Sequence, residues 1–442
     1  MFWITAVIFT LTYIGLAMGK VPGLGLDRAA IAFVGAALML VTKVLTLQQA
    51  VAPGSIDYET LFLLFGMMVV VGFLRISGFF ARLANWALGQ IRTPSRLLAV
   101  TILLSGVLSA FLVNDIVCLA VTPLVLQLAR RLRFNPLPHL IGVATAANIG
   151  STGTITGNPQ NMIIGIQSRI PYLRFASHLL PVAAIGLIIN FLVVAWVYRA
   201  ELPAPQRSDG ESASNDARNE ASIAGCSGNP HEDHTHTSGR GAEEASDSCV
   251  HDGLQRKSVA VALVTILLFF AGFQIALVAI GAAAVLLIDP VKSARIYNQI
   301  DWSLLLMFIG LFIVVHAFQV RVVATWGIED WHWLLRHPID LLSVASAALS
   351  NLVSNVPAVL LFEPVMRAIP PASRQNAWLA LAMSSTFAGN LTVLGSVANL
   401  IVVESAKREG VTISFWEYCK VGIPVTILTL VLGIIWLRIV NY

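Results

Sequence analysis

Two polar interruptions stand inside long apolar runs: Asn114-Asp115 within residues 96–128, and Ser354-Asn355 within residues 339–367. An Asn amide offers an oxygen that ligates a hard cation such as Na+, and a helix end beside it adds unpaired carbonyl and N–H groups. An Asp at mid-membrane costs about 2.5–3.5 kcal/mol on insertion scales, so such a residue pairs, binds a cation or carries a proton. Cation binding at Asn114 and Asn355, and coupling to H+ or Na+ at Asp115, are the chemistry these residues could do. The plainer roles are that the Asn side chains close hairpin turns and that Asp115 caps the helix that follows.

A second polar set lies in ANIGSTGTITGNPQN, residues 147–161, with Thr154, Thr156, Gly157, Asn158 and Asn161, and in FAGNLTVLGSVAN, residues 387–399, with Asn390, Thr392, Gly395, Ser396 and Asn399. Glycines and Pro159 interrupt a helix in the first stretch. Half-helix N-termini at such a break point partial positive charge at an anion, while unwound carbonyls face a cation. The alternative is a kinked packing helix whose small residues permit close approach.

These features occur in pairs because the chain is duplicated. DYETLFLLFGMMVVVG from Asp57 returns as DWSLLLMFIGLFIVVH from Asp301, NDIVCLAVTP from Asn114 as NVPAVLLFEP from Asn355, and the Thr154 stretch returns from Thr392. The offsets are 301 − 57 = 244, 355 − 114 = 241 and 392 − 154 = 238, so the halves differ by small insertions. Residues 1–198 and 257–442 are read as two transmembrane repeats joined by a linker, 199–256. Spans are expected near 2–19, 28–46, 59–76, 139–165 and 177–198, and again near 257–271, 274–289, 301–320, 375–404 and 415–440. Amphipathic stretches are expected after Arg75 and at 323–335. The runs 96–128 and 339–367 are too long for single crossings and carry polar residues at their middles, which predicts re-entrant hairpins. Five crossings per half, or seven if each hairpin counts as two full spans, are both odd, so the second repeat must be inverted. The expected fold is an all-α polytopic membrane protein with two re-entrant hairpins and two broken helices.

Composition agrees: 57% of the 442 residues are apolar and only 12% are charged, against roughly 25% charged in a soluble domain. The lipid bilayer is the expected surrounding, and the net charge of +4 needs no nucleic-acid partner. The amino-terminal apolar run lacks a basic flank and reads as an uncleaved first span. On the expected topology twenty basic residues fall on one side and eight on the other, accounting for all 28. The positive-inside rule then puts the linker in the cytoplasm and both termini outside, in a bacterial-type cytoplasmic (inner) membrane. The linker holds 11 of the 24 acids among Ser, Gly, Ala and Pro, a composition unable to bury a core, and is read as a disordered tether. Its His231, His234 and His236 lack a recognised finger spacing, and metal binding there is the weaker reading. No cofactor is expected. His316, inside an apolar span, is read as a packed core histidine, and Glu363 as a solvated residue.

At these residues the chain resembles the ion transporter superfamily, which includes arsenite permeases, sodium/proton antiporters of the same fold, and citrate and dicarboxylate transporters. The resemblance covers nearly everything outside the linker and is carried by Val113-Asn114-Asp115, Ser354-Asn355-Val356 and Gly157-Asn158-Pro159-Gln160-Asn161. It implies inverted five-helix repeats with paired hairpins, elevator-like movement, and commonly a homodimer. In dicarboxylate-transporting relatives both tips read Ser-Asn-Thr, the Asn residues helping to bind sodium and the Ser and Thr touching substrate. Here only Asn114, Ser354 and Asn355 match, and the Asn-Asp tip looks closer to the arsenite-permease and antiporter branches.

Three function classes follow. A secondary transporter for a small anion or oxyanion, coupled to H+ or Na+, accounts for the duplication, both tips and both broken helices. A passive channel predicts a repeated charged ring or filter, which is absent. A membrane enzyme needs a nucleophile–base pair or a metal motif in the spans, and no HExxH or GxSxG is present. If 199–256 is only a tether, a chain lacking residues 205–252 inserts and transports like the full chain, which flux in proteoliposomes checks.

Overall fold

The computed structural model of the chain describes residues 1–19, 25–88, 91, 93–201, 240–288, 293–325 and 338–440. These are helical, with no strand among the described residues. The first half runs α1 (Phe2–Met18), α2 (Arg28–Val41), a short α3 (Leu47–Ala50), α4 (Tyr58–Ile76), amphipathic α5 (Phe79–Leu88), α6 (Pro94–Phe111), α7 (Asn114–Arg131), α8 (Leu137–Ser151), α9 (Pro159–Ser168) and α10 (Tyr172–Val197). The second runs α11 (Arg240–Phe270), α12 (Ile275–Leu287), a short α13 (Ser293–Tyr297), α14 (Trp302–Arg321), α15 (Pro338–Val353), α16 (Asn355–Ala368), α17 (Pro371–Ala388), α18 (Val397–Arg408) and α19 (Phe415–Ile439). Six helices are long and apolar enough to cross a membrane. α11 begins inside the stretch that composition assigns to the linker. His231, His234 and His236, and most of the expected amphipathic stretch 323–335, lie outside the described residues.

Helix starts follow the capping residues. Asp27, Asp57 and Asp301 each accept a hydrogen bond from the backbone N–H three residues on, at 2.8, 3.0 and 2.9 Å. The two long polar-centred runs break at their tips: extended Leu112 and Val113 separate α6 from α7, and Ser354 separates α15 from α16. The two Gly/Asn/Thr stretches break where expected, each through a short 3-10 turn, Ile155–Gly157 and Val393–Gly395.

The halves pack reciprocally. α2 packs on α14, and α12 packs on α4. Gly310 of α14 faces the Ala32 backbone, and the matched Gly66 of α4 faces the Ala279 backbone, each so close that a Cβ would stand 2.6 Å from the carbonyl carbon. Around the broken helices, α8 lies beside α18 and α9 beside α17. The first hairpin's α7 packs against α8 and α18, whereas the second hairpin's α16 packs against α17 and α9. Since α8 and α9 are the successive halves of one broken helix, the two hairpins sit at its opposite ends. Swapped neighbours of this kind are what two copies related by a two-fold axis produce.

The matched glycines make a direct test of this packing. Gly66→Ala or Gly310→Ala drives a methyl into backbone that cannot rotate away and should destabilise by about 1–3 kcal/mol. Gly281→Ala, with nothing within 4 Å of the added atom, should be neutral or stabilising by up to about 1 kcal/mol. Thermal melting of the three purified variants checks this order.

Candidate functional site

Both hairpin tips open into one cavity of about 520 Å³. Its walls include Asn114 and Asp115 from the first tip, Ser354, Asn355 and Val356 from the second, Pro159 and Gln160 at the start of α9, and Ser396 and Val397 at the start of α18. Asp27, Arg28 and Asp301 complete it from the ends of α2 and α14. Asn114 is 3% exposed and Asn355 7%, yet each has an amide oxygen with no partner among the described residues. Buried acceptors without donors are costly and rare, and a cation or a solute hydroxyl in the cavity would satisfy them. Asp115, half-buried, has no hydrogen-bond or ion-pair partner among the described residues. Asp301 caps α14 and also places a third carboxylate on the wall, beside Asp27 and Asp115.

The remaining predicted site residues stand behind this wall and hold it up. Asn161 donates to the carbonyls of Ser151 (3.1 Å), Thr152 (3.4 Å) and Thr154 (2.9 Å). Its counterpart Asn399 donates to Gly389 O (2.7 Å) and Thr392 O (3.1 Å). Thr154 donates to Ala110 O, and Thr156 shares a 2.9 Å hydrogen bond with Tyr172, so both hydroxyls serve the first hairpin and its neighbour rather than the cavity. Asn158 caps α9 by accepting from Asn161 N (2.9 Å), as Ser396 caps α18 by accepting from Ala398 N (3.3 Å). Thr392 contributes its carbonyl, and Asn390 donates to Thr145 O at 3.2 Å. Gly157 and Gly395 let the returning turn pass over the last carbonyl of the first half-helix: a Cβ would lie 2.2 Å from Ser151 O or 2.8 Å from Gly389 O.

Asn148 is the residue sequence reading passed over. It lies in the singled-out stretch 147–161 but matches Thr386 in the second repeat, so the duplication does not flag it. Its Oδ1 accepts from Asn114 (3.1 Å) and Ser396 (3.0 Å), and its Nδ2 donates to Asn390 (2.9 Å) and Asn399 (3.0 Å).

The tips differ in backbone. Val113 is extended (φ −60, ψ 122), whereas Ser354 adopts φ 78, ψ 159, a region that glycine occupies almost alone. A second cavity, of about 710 Å³, lies toward the C-terminal ends of α9, α14 and α16 and is lined by Arg169, His316, Gln319, Glu363 and Arg374. His316 is half-buried on its wall rather than packed in the core. Glu363 accepts from Gln319 at 3.1 Å and pairs with Arg367.

Six helices fit to cross a bilayer, one of them the first arm of the first hairpin, together with two hairpins and two broken helices that converge on one cavity, define a multi-pass membrane protein of the permease type. The chain belongs to the citrate transporter family, whose profile matches residues 6–383. It is 31% identical to the silicon efflux transporter LSI3 of Oryza sativa, over 94% of this chain and 93% of that one. It is 28% identical to an uncharacterized transporter of Mycobacterium tuberculosis over 98% of both chains. It is 25% identical to a Dictyostelium discoideum transporter named arsB over 98% of this chain and 91% of that one. The crystal structure of the Alcanivorax borkumensis YdaH transporter shares the fold, with a TM-score of 0.54 and 12% identity, covering 99% of this chain and 96% of that chain.

Ser354 offers a test of the second tip. Its hydroxyl has no partner among the described residues, so Ser354→Gly removes backbone strain at little other cost and should raise stability by about 1–3 kcal/mol. Ser354→Ala keeps the strain and should not. Thermal melting of purified protein distinguishes them.

Proposed function

We propose that the chain is an ion-coupled secondary active transporter that moves a small anion or oxyanion, with H+ or Na+ as the coupling ion. The observation that carries this is the meeting of Asn114, Asp115, Ser354 and Asn355 in one cavity, with unpartnered buried amide oxygens on both tips. In this reading Asn114 and Asn355 ligate Na+ where that is the coupling ion, Asp115 carries H+ where it is not, and the positive dipole ends of α9 and α18 face an anion. The hairpins and broken helices form the moving body and α1, α2, α4, α12 and α14 the frame, as an elevator requires. By the positive-inside rule the cavity mouth beside Arg28 is cytoplasmic, so the described state is open inward.

The charge of the cavity narrows the substrate. Three carboxylates, Asp27, Asp115 and Asp301, face one cation, Arg28. A dianion is repelled from such a wall unless Asp115 is protonated or neutralised by a bound cation. That favours a small oxyanion of low charge over a di- or tricarboxylate, and among the relatives one is named as a silicon efflux transporter. Citrate-like carboxylates then require the coupling ion first. Exchange of Na+ for H+ alone is the second reading, supported by the same unpaired Asp115.

Proteoliposome flux tests the proposal. The wild-type chain should accumulate substrate against its gradient when an H+ or Na+ gradient is imposed, and Asn114→Ala and Asn355→Ala should abolish accumulation with normal membrane insertion. Asp115→Asn should remove the dependence on pH or Na+. Normal transport by Asp115→Asn with both dependences unchanged would remove the coupling role.

A further inference from the structure

The orientation of the Asn114 amide is dictated by backbone carbonyls two residues away in a hydrogen-bonded chain. Asn399 donates from Nδ2 to Gly389 O and Thr392 O, and Asn390 donates to Thr145 O. Carbonyls only accept, so neither amide can be turned round, and both must present Oδ1 to Asn148. Asn148 answers with Nδ2, at 3.0 and 2.9 Å. Its Oδ1 is thereby committed to the other side, where Ser396 Oγ and Asn114 Nδ2 donate to it at 3.0 and 3.1 Å. With its nitrogen so engaged, Asn114 is left with Oδ1 turned away from Asn148, buried and without a partner among the described residues.

We propose that Asn148 is a positioning residue for the first tip: through this amide relay it holds Asn114 with its oxygen presented to a hard monovalent cation. The inference rests on the reading of Asn114 as a coupling-ion ligand. The second tip has no such relay. Asn161 is anchored by carbonyls as Asn399 is, but the residue matched to Asn148 is Thr386, whose hydroxyl accepts from Asn158 and Gln160 and donates to Ala382 O. None of these bonds reaches Asn355, so among the described residues the first tip alone is pre-set by its surroundings. Second-shell partners that orient a metal ligand typically change affinity by about 10–100-fold when removed.

The test is a double-mutant cycle on purified full-length protein, with Na+ and pH as the probes and radiolabelled Na+ binding and the thermal midpoint as the readouts. For Na+, Asn114→Ala and Asn148→Leu should each weaken the apparent affinity about tenfold or more; a wild type that responds to pH alone would remove the ligand role of Asn114, since an amide oxygen is not protonated near neutral pH. The double variant should be no weaker than the weaker single, because Asn148 acts only through Asn114. Effects that multiply, or an Asn148→Leu variant that melts lower while binding the cation normally, would overturn the relay and leave Asn148 a packing residue. Should Asn148→Leu not fold, Asn148→Thr installs the residue found at the matched position, and the same non-additivity is expected. A wild type that responds to neither cation, or an Asn114→Ala variant that binds normally, would instead remove the coupling-ion reading on which the inference rests.

Discussion

Hydrocarbon offers no partner to a backbone N–H or C=O, so any helix that ends inside a membrane must have its open end satisfied by the protein itself. This chain interrupts helices inside its apolar runs repeatedly: at both hairpin tips, and on both sides of two broken helices. The Asn and Thr side chains of the interrupted segments meet that requirement. Asn161 and Asn399 span the breaks in α8–α9 and α17–α18 by donating to carbonyls that no helix can use. Thr154 ties the first break to the end of α6, and Asn351 in the second hairpin donates to Ala388 O at 2.8 Å, tying the matched break to α15. The cavity exists because these residues stabilise backbone that would otherwise be forced back into a continuous helix.

Duplication multiplies such solutions but does not make them identical. The reciprocal approach of Gly310 to Ala32 and Gly66 to Ala279, and the twin straps at Asn161 and Asn399, show the repeats using the same contacts. Departures from that symmetry concentrate at the tips. Val113 has a relaxed backbone while Ser354 is strained, Asp115 is matched by Val356, and Asn148 is matched by Thr386.

Much of the architecture was legible because hydrophobicity and duplication are read along the chain. The two long runs with polar centres became hairpins within a few residues of the expected bounds, and the Gly/Asn/Thr stretches became interrupted helices. Roles within those stretches were less legible. Thr154, Thr156, Asn161 and Asn399 have the atoms of cavity ligands, but a polar side chain near an open helix end meets the nearer protein group first: Thr154, Asn161 and Asn399 donate to carbonyls and Thr156 pairs with the Tyr172 hydroxyl. His316 was misplaced for a related reason: an apolar sequence around a histidine says nothing about whether a cavity runs beside it.

The sequence by itself determined that the chain is a membrane protein built of two similar halves whose matched apolar runs turn polar at their middles, since period, composition and repeat offset are properties of the chain alone. Only the tertiary structure decided which polar atoms face the cavity, because that depends on which neighbours exhaust each amide. Asn148 makes the point: nothing in its sequence surroundings sets it apart, and its importance arises from four hydrogen bonds, three of them to residues some 240–250 positions away. Hydrogen-bond direction is set by donors and acceptors in space, and no one-dimensional pattern carries it.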